Sequence, residues 1–214
     1  MGVMTGQKIT NREHIADGVV HAVGVALGVP AALAAVLIAV LGGGVEQLMP
    51  VLLYALGLVA MFGCSAAYNV FRRSRARAWL RRLDHAAIFA MIAGTYTPFT
   101  VLGLDGAWSV GLTATIWTIA GLGVTAKLLQ PRWIEPVSTV LYLALGWIGL
   151  IAIKPFIDSM AFSTLLLLLV GGVIYSAGVI FHVWQRLPYH TAVWHGFVLV
   201  AACVHYAAVM TIIL

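Results

Sequence analysis

Charged residues are scarce in this sequence: Asp, Glu, Lys and Arg make up 9% of its 214 residues, whereas hydrophobic residues make up 62%. Soluble domains carry roughly 25% charged residues. The composition therefore excludes an ordinary soluble domain and predicts an all-α integral membrane protein. The net charge of +5 does not form a basic stretch interleaved with aromatic residues, so no nucleic-acid partner is expected.

Cysteine is also rare, and both cysteines, Cys64 and Cys203, lie in apolar runs. This excludes the disulfide framework of a small secreted domain and predicts two buried free thiols. The first apolar run extends from Val19 to Leu41. It is longer than the apolar region of a cleaved signal peptide, so we interpret it as the first membrane span.

A helix needs about 20 mostly apolar residues to cross the hydrocarbon core of a bilayer. Seven segments meet this requirement, and their approximate bounds are 18–41, 48–71, 84–103, 107–128, 135–154, 161–183 and 191–212. The short breaks between them carry turn residues or charge, which predicts a bundle of antiparallel neighbours. We therefore expect a cytoplasmic N-terminal segment, 1–17, and a single seven-helix transmembrane domain, 18–214.

The basic residues predict the orientation of this bundle. With the N-terminus in the cytoplasm, Lys154 is the one basic residue on the outer side. The others face the cytoplasm: Lys8, Arg12, Arg72, Arg73, Arg75, Arg77, Arg81, Arg82, Lys127, Arg132 and Arg186. This positive-inside distribution predicts a multi-pass protein of the inner (plasma) membrane with its C-terminus outside. The arginine run is expected to contact anionic lipid headgroups, with a specific phosphate site as the alternative.

Polar residues within the predicted spans gather near the cytoplasmic leaflet, where they predict a polar cavity. They are Asp17, His21, Ser65, Asn69, Asp84, His85, His182, Thr191 and His195. Structural roles are the alternatives: Asp17 and Asp84 as carboxylates at helix N-termini, and Asn69 as an interhelical hydrogen-bond donor. His205 lies deeper, where it is either a further polar candidate or a core histidine paired with a hydroxyl.

Two histidines in the last span raise the question of a metal site. His190 and His195 are five residues apart, which turns their side chains roughly 140° from each other on a helix. Ligands that bind one metal from the same helix normally lie three or four residues apart. The pair therefore predicts either a break in the helix or a site that uses only one of the two.

Several longer motifs resemble the haemolysin III branch of the progestin and adipoQ receptor (PAQR) family. They are "EHIADGVVHAVG" at 13–24, "SAAYN" at 65–69, "LDHAAIFAMIAGTYTPF" at 83–99, "LYLALGWIGL" at 141–150, "GGVIYSAGVIF" at 171–181 and "PYHTAVWHGFVL" at 188–199. The resemblance covers nearly the whole chain. It implies seven helices with the N-terminus inside, in agreement with the distribution of basic residues.

The resemblance also implies a zinc site, with three imidazoles as ligands and an aspartate near a metal-bound water. In this chain Ser65 and Asp84 match the serine and the aspartate of the pattern, and His195 matches one imidazole. Asn69 and Thr191 stand where the other two imidazoles are expected. Amide and hydroxyl oxygens are poor ligands for zinc, so the resemblance predicts a degenerate zinc site in which His195 is the remaining ligand.

Three functions follow from this resemblance as alternatives, and the sequence leaves open whether the protein is an enzyme. The first is a metal-free scaffold with a polar cavity lined by Asn69, Thr191, Asp17 and His21, acting in membrane (lipid or energetics) homeostasis. The second is a zinc-dependent hydrolase of lipid amides or esters, with Asp84 and Ser65 as catalytic residues. The third is a pore or transporter. Membrane lipids are the expected partners, and the sequence leaves any protein partner unknown.

Overall fold

The computed structural model describes residues 10–214, and this part of the chain is helical, without strands. Eight α-helices follow one another: α1 (Asn11–Ile38), α2 (Gly44–Val70), α3 (Arg77–Leu102), α4 (Gly106–Leu129), α5 (Ile134–Gly146), α6 (Ile153–Ser159), α7 (Phe162–Val183) and α8 (His190–Ile213). A π-helical turn, Ala39–Gly43, joins α1 to α2, and a 3₁₀ turn, Ile148–Ala152, joins α5 to α6.

Six helical stretches in the described residues are long and apolar enough to cross a membrane. The first of them, Asn11–Val70, contains both α1 and α2. Its two helices fold back on each other, since Gly24 and Gly28 of α1 face the ring of Phe62 in α2. The chain reverses at a glycine run that ends in Gly44, whose φ of 63° favours glycine. The multi-pass helical fold is thus confirmed, whereas seven spans and the orientation stay predictions.

The first helix begins at Asn11, earlier than the apolar segment predicted from residue 18. A capping box starts it: the Thr10 hydroxyl accepts a hydrogen bond from the amide of Glu13, and the Glu13 carboxylate accepts one from the amide of Thr10. The helix therefore includes much of the predicted N-terminal segment, 1–17. Residues 1–9, with Lys8, lie outside the described residues.

The predicted fifth span, 135–154, is not one continuous helix, because α5 ends at Gly146 and α6 starts at Ile153. Tyr96 of α3 stabilises the break. Its hydroxyl donates to the carbonyl of Gly146 (2.5 Å) and accepts from the amide of Gly149 (3.1 Å). Backbone groups freed within a bilayer need such partners from neighbouring helices.

Close backbone approaches hold α2 and α3 together at the centre of the bundle. A Cβ atom at Gly94 would lie 2.8 Å from the carbonyl oxygen of Leu53, so only glycine allows this packing. Many large apolar side chains remain exposed on the outer faces, as a lipid environment requires. Both cysteines are free, as predicted. The prediction that both are buried is wrong, since Cys203 lies on the exposed apolar surface.

Candidate metal centre

Three potential metal ligands from two helices meet at one end of the bundle. Asp17 and His21 are one turn apart on α1, which places both side chains on the same face. His195 comes from the second turn of α8, which packs beside α1. Asp17 and His21 are buried, and His195 is mostly buried.

The distances among these side chains are short. Nδ1 of His195 lies 2.6 Å from Oδ1 of Asp17, and Nε2 of His21 lies 3.7 Å from Oδ2 of the same carboxylate. The two imidazole ring centroids are 4.3 Å apart, with the planes inclined at 55°. One ligand atom from each residue lies within 4.8 Å of the other two, so the three could bind a single ion. We call Asp17, His21 and His195 the triad.

Asn69 and Arg72 support the triad from α2 and the loop that follows it. The Asn69 side-chain amide donates to Oδ2 of Asp17. Arg72 donates to the side-chain oxygen of Asn69 (2.9 Å) and to its backbone carbonyl (2.9 Å). Because the side-chain oxygen of Asn69 accepts from Arg72, its amide nitrogen faces Asp17, and the carboxylate is held in place by a chain of hydrogen bonds.

Asp84 and Ser65, the predicted catalytic residues, lie next to the triad without joining it. Ser65 is a polar neighbour of the Asp84 carboxylate, and the titratable residues around that carboxylate include His195, His21 and Asp17. The structure thus brings together side chains from α1, α2, α3 and α8 at the depth where the sequence predicts a polar cavity.

Other candidates lie apart from this cluster. The hydroxyl of Thr191, at the start of α8, lies 3.5 Å from Nε2 of His190, and within residues 10–214 it forms no hydrogen bond with the triad. His85 faces Lys127 on the other side of α3, with 3.2 Å between Nδ1 and Nζ. His205 contacts the carbonyl of Leu168 through Nε2, at 3.3 Å, instead of a hydroxyl. His205 is therefore paired with a backbone carbonyl, whereas the sequence predicts a hydroxyl as the partner of a core histidine.

Asp17 and His21 are potential metal ligands that the family pattern did not indicate, because the sequence predicts them only as cavity residues. Their four-residue spacing, "DGVVH", is the signal that could have identified them. The family pattern instead places a four-residue pair of ligands at positions 191 and 195, and both positions lie on α8. The carboxylate on α1 supplies the donor that Asn69 and Thr191 cannot.

The donor chemistry of the triad fits a divalent transition metal. Two imidazoles and one carboxylate form one of the three-ligand sets found in catalytic zinc sites, where a fourth position is left open. Ligand atoms around a tetrahedral zinc ion are roughly 3.4 Å apart, and the two contacts of the Asp17 carboxylate, 2.6 Å and 3.7 Å, lie on either side of this value. The residues present therefore fit zinc, and the same set also suits Fe²⁺.

The fold and the site together define a multi-pass helical membrane protein with a buried carboxylate–imidazole cluster at one end of its bundle. The chain belongs to the haemolysin III-related family, whose sequence profile matches residues 9–206. The predicted membership is thus confirmed.

Relatives of this chain come from bacteria and animals. It is 33% identical to the hemolysin-3 homolog of Bacillus subtilis, over 89% of each chain. It is 32% identical to hemolysin-3 of Bacillus cereus, over 95% of this chain and 93% of that protein. Similarity extends to the human monocyte to macrophage differentiation factor, at 29% identity over 94% of this chain and 85% of the relative. This similarity supports the predicted relation to the PAQR family. No solved structure matches the chain.

Proposed function

We propose that the triad binds one divalent metal ion, with zinc as the expected ion, and that the protein acts on membrane lipids at this centre. The observation that carries the proposal is the convergence of three donor atoms within 4.8 Å of one another. The donors Asp17 and His21 compensate for Asn69 and Thr191, which stand at the imidazole positions that the family resemblance implies.

Hydrolysis of a lipid amide or ester is the reaction that the surrounding residues favour. A zinc ion with three protein ligands supplies a polarised water and a Lewis acid at the open position. Asp84 lies beside the triad without being a ligand, so its carboxylate is available to accept or donate a proton. Ser65 is a polar neighbour of that carboxylate. Asn69 and Arg72 fix Asp17, as outer-shell partners of ligating carboxylates do.

A metal-free polar scaffold with a part in membrane homeostasis is the second candidate, and one observation favours it. The Asp17 carboxylate already accepts hydrogen bonds from Asn69 and from Nδ1 of His195. Since an ionised carboxylate only accepts, His195 would carry the proton in that contact. Such a network satisfies its buried polar groups without an ion, so the two candidates differ in a measurable quantity, the binding of metal.

Cobalt substitution tests the metal centre. The purified full-length chain in detergent is treated with a chelator and then titrated with Co²⁺, with visible absorption as the readout. We expect one tetrahedral-type Co²⁺ spectrum per chain, and its loss in His21→Ala and in His195→Ala. His205→Ala, the matched control outside the triad, should keep the spectrum. A wild-type chain without Co²⁺ absorption, or identical spectra in all four proteins, would favour the metal-free scaffold.

Lipid turnover tests the reaction. The protein is placed in lipid nanodiscs that contain a ceramide or a fatty-acid ester, and released fatty acid is measured by mass spectrometry. We expect release that requires the metal and is abolished by Asp84→Asn while Co²⁺ binding persists. Asp105→Asn, an exposed carboxylate at the start of α4, should leave release unchanged. Metal binding without release from either substrate would reject hydrolysis of these lipids and keep the metal centre. Leakage of liposomes that depends on the protein would indicate a pore instead.

Seven spans, with the N-terminus in the cytoplasm of the inner (plasma) membrane, are part of the same proposal. The stretch Asn11–Val70 has 60 residues, about 90 Å as a straight helix, whereas the hydrocarbon core is about 30 Å thick. Its antiparallel halves therefore count as two spans. Alkaline phosphatase fused after Gly43 should be active outside the cytoplasm, and the same enzyme fused after Ser74 should be inactive. The reverse result would contradict the orientation.

A further inference from the structure

A second polar cluster lies at the same end of the bundle, between α3, α4 and α5, and has no part in the metal centre. Its central residue is Lys127 of α4, whose side chain is wholly buried. The ammonium group lies 3.0 Å from the Ser138 hydroxyl, 3.2 Å from Nδ1 of His85 and 3.5 Å from Oε2 of Glu135. Three partners for three N–H groups hold this lysine in a fixed position.

Arg81 and Arg82, in the second turn of α3, extend the cluster to the surface. Nη2 of Arg81 lies 3.2 Å from the same Glu135 oxygen that faces Lys127. Arg82 donates from Nη1 to the carbonyl of Leu128 at the end of α4, and its guanidinium lies 4.8 Å from the ring centroid of Trp79. The buried Nε of Arg82 has no hydrogen-bond partner in residues 10–214. One donor therefore remains free at a site that is otherwise well connected.

The charges of the cluster do not cancel. Arg81, Arg82 and Lys127 carry three positive charges, and Glu135 is the one acidic residue within ion-pair distance of them in the described part of the chain. The site thus has a net charge of about +2 when His85 is neutral. Because Lys127 is wholly buried, its charge is weakly screened and the excess favours an anion. Guanidinium groups suit the oxygens of a phosphate in particular.

The surroundings indicate that the anion belongs to a lipid. Trp79 and Trp133 are 57% and 56% exposed beside the cluster, and tryptophans on membrane helices mark the headgroup level. Leu83, Leu129 and Val137 are exposed apolar side chains on the three helices that form the cluster. A free phosphate would gain nothing from these apolar neighbours, whereas the acyl chains of a phospholipid would cover them.

We propose that the cluster is a binding site for the phosphate of an anionic phospholipid, contacted by Arg81 and Arg82. Lys127 supplies a buried positive charge next to the arginines. Glu135 pairs with both Lys127 and Arg81, and its single negative charge offsets only one of the three positive charges. Of the arginines in the run at 72–82, only Arg81 and Arg82 are proposed to contact the phosphate. Arg73 and Arg75 are exposed and form no hydrogen bond or ion pair with the cluster in residues 10–214. This site is independent of the triad and of the metal it is proposed to bind.

Lipid binding to paired charge variants tests the proposal. The full-length chain in detergent is titrated with phosphatidylglycerol or with phosphatidylcholine, and bound lipid is counted by native mass spectrometry. Arg81→Gln/Arg82→Gln should weaken phosphatidylglycerol binding about 30-fold, since each basic residue near a lipid surface contributes about a fivefold preference. The matched control Arg73→Gln/Arg75→Gln removes the same charge from the same run and should weaken binding less than about threefold.

Three results would overturn the proposal: equal losses in the two double variants, no preference for phosphatidylglycerol over phosphatidylcholine, or full displacement of the lipid by millimolar inorganic phosphate. The first would indicate general attraction to the arginine run, and the last a free-phosphate site. The variant Glu135→Gln distinguishes loss of the lipid site from a failure to fold, because its expected effect is a gain of binding. Loss of this competing carboxylate should strengthen phosphatidylglycerol binding severalfold, a gain that unfolding cannot produce. Unchanged or weaker binding by Glu135→Gln would also contradict the proposal.

Discussion

The two polar clusters lie at the same end of the bundle, yet their charges point to different ligands. In the triad, one carboxylate lies between two imidazoles. In the second cluster, one carboxylate faces two cationic side chains, with a third nearby. The first arrangement offers lone pairs to a metal ion, and the second offers N–H groups to an anion. Two clusters at the same end of a bundle therefore need not bind similar ligands. The charge and the type of their side chains determine which ligand each one favours.

Helix α3 separates the two clusters and contributes a residue to each. Asp84 lies beside the triad, and the next residue, His85, contacts Lys127. Successive residues on a helix are about 100° apart, so neighbouring positions face different helices. The carbonyl of His85 also accepts a hydrogen bond from the Tyr142 hydroxyl (2.9 Å), which ties this turn of α3 to α5. The comparison predicts that each cluster can be disrupted without loss of the other.

The largest effect is expected from Asp17→Ala, which removes the shared partner of the triad. His195 and Asn69 would each lose a hydrogen bond in a largely buried site, which costs about 1–3 kcal/mol per group. Thermal unfolding in detergent, followed by tryptophan fluorescence, should show a clear decrease in Tm. The control Asp105→Ala removes an exposed carboxylate that caps α4 without a side-chain hydrogen bond and should change Tm little. Equal decreases in the two variants would contradict the role of Asp17.

Lys127→Met should break the second cluster while leaving the triad intact. Ser138 and His85 lose a hydrogen-bond partner, so we expect a loss of about 2 kcal/mol, or roughly 4–8 °C in Tm for a chain of this length. Co²⁺ binding at the triad should persist. Lys154→Met is the matched control, because Lys154 pairs with Asp158 at an 84% exposed position where ion pairs contribute little. Loss of Co²⁺ binding in Lys127→Met would show that the clusters are coupled.

Asn69→Ala tests the support of the triad from α2. The variant keeps all three ligands but removes the hydrogen bond that orients Asp17. Outer-shell changes of this kind weaken metal binding about 10–100-fold, a smaller loss than removal of a ligand. Competition with a chromophoric chelator should measure it. Thr191→Ala is the control, because the Thr191 hydroxyl forms no hydrogen bond with the triad within the described residues. Unchanged affinity in Asn69→Ala would mean that α2 does not position the carboxylate.

The smallest effect on ligand binding is expected from Tyr96→Phe, at the break of the fifth span and outside both clusters. The carbonyl of Gly146 and the amide of Gly149 would lose their common partner, with a cost of about 1 kcal/mol per hydrogen bond. Tm should decrease by a few degrees, and neither Co²⁺ nor phosphatidylglycerol binding should change. Tyr68→Phe keeps the aromatic ring beneath Arg77 and is the matched control. A change in ligand binding would show that the break communicates with the polar end.

The sequence predicts the helical membrane fold well, because apolar runs report directly on lipid exposure. It also predicts the polar end of the bundle, since Asp84, Ser65 and His195 are all found there. It does not reveal the break after Gly146, because that break depends on a hydroxyl from another helix, Tyr96.

The sequence also conceals the partners within each cluster. Lys127 contributes to the orientation signal, and only its proximity to Glu135 across α4 and α5 shows that this buried lysine forms an ion pair. Asp17 joins the proposed metal site for a similar reason: α8 brings His195 to it from a distant part of the chain. Pairings of this kind depend on helix packing, which periodicity and composition do not determine.

The zinc content of the purified protein tests the central claim most directly. The full-length chain is isolated from membranes without chelator, and zinc and protein are measured in the same sample by elemental and amino-acid analysis. We predict one zinc ion per chain in the wild type and none above background in Asp17→Asn, which preserves the shape of the side chain and removes its charge. A wild-type chain that is free of zinc and takes up none on incubation with Zn²⁺ would contradict a zinc centre at Asp17, His21 and His195.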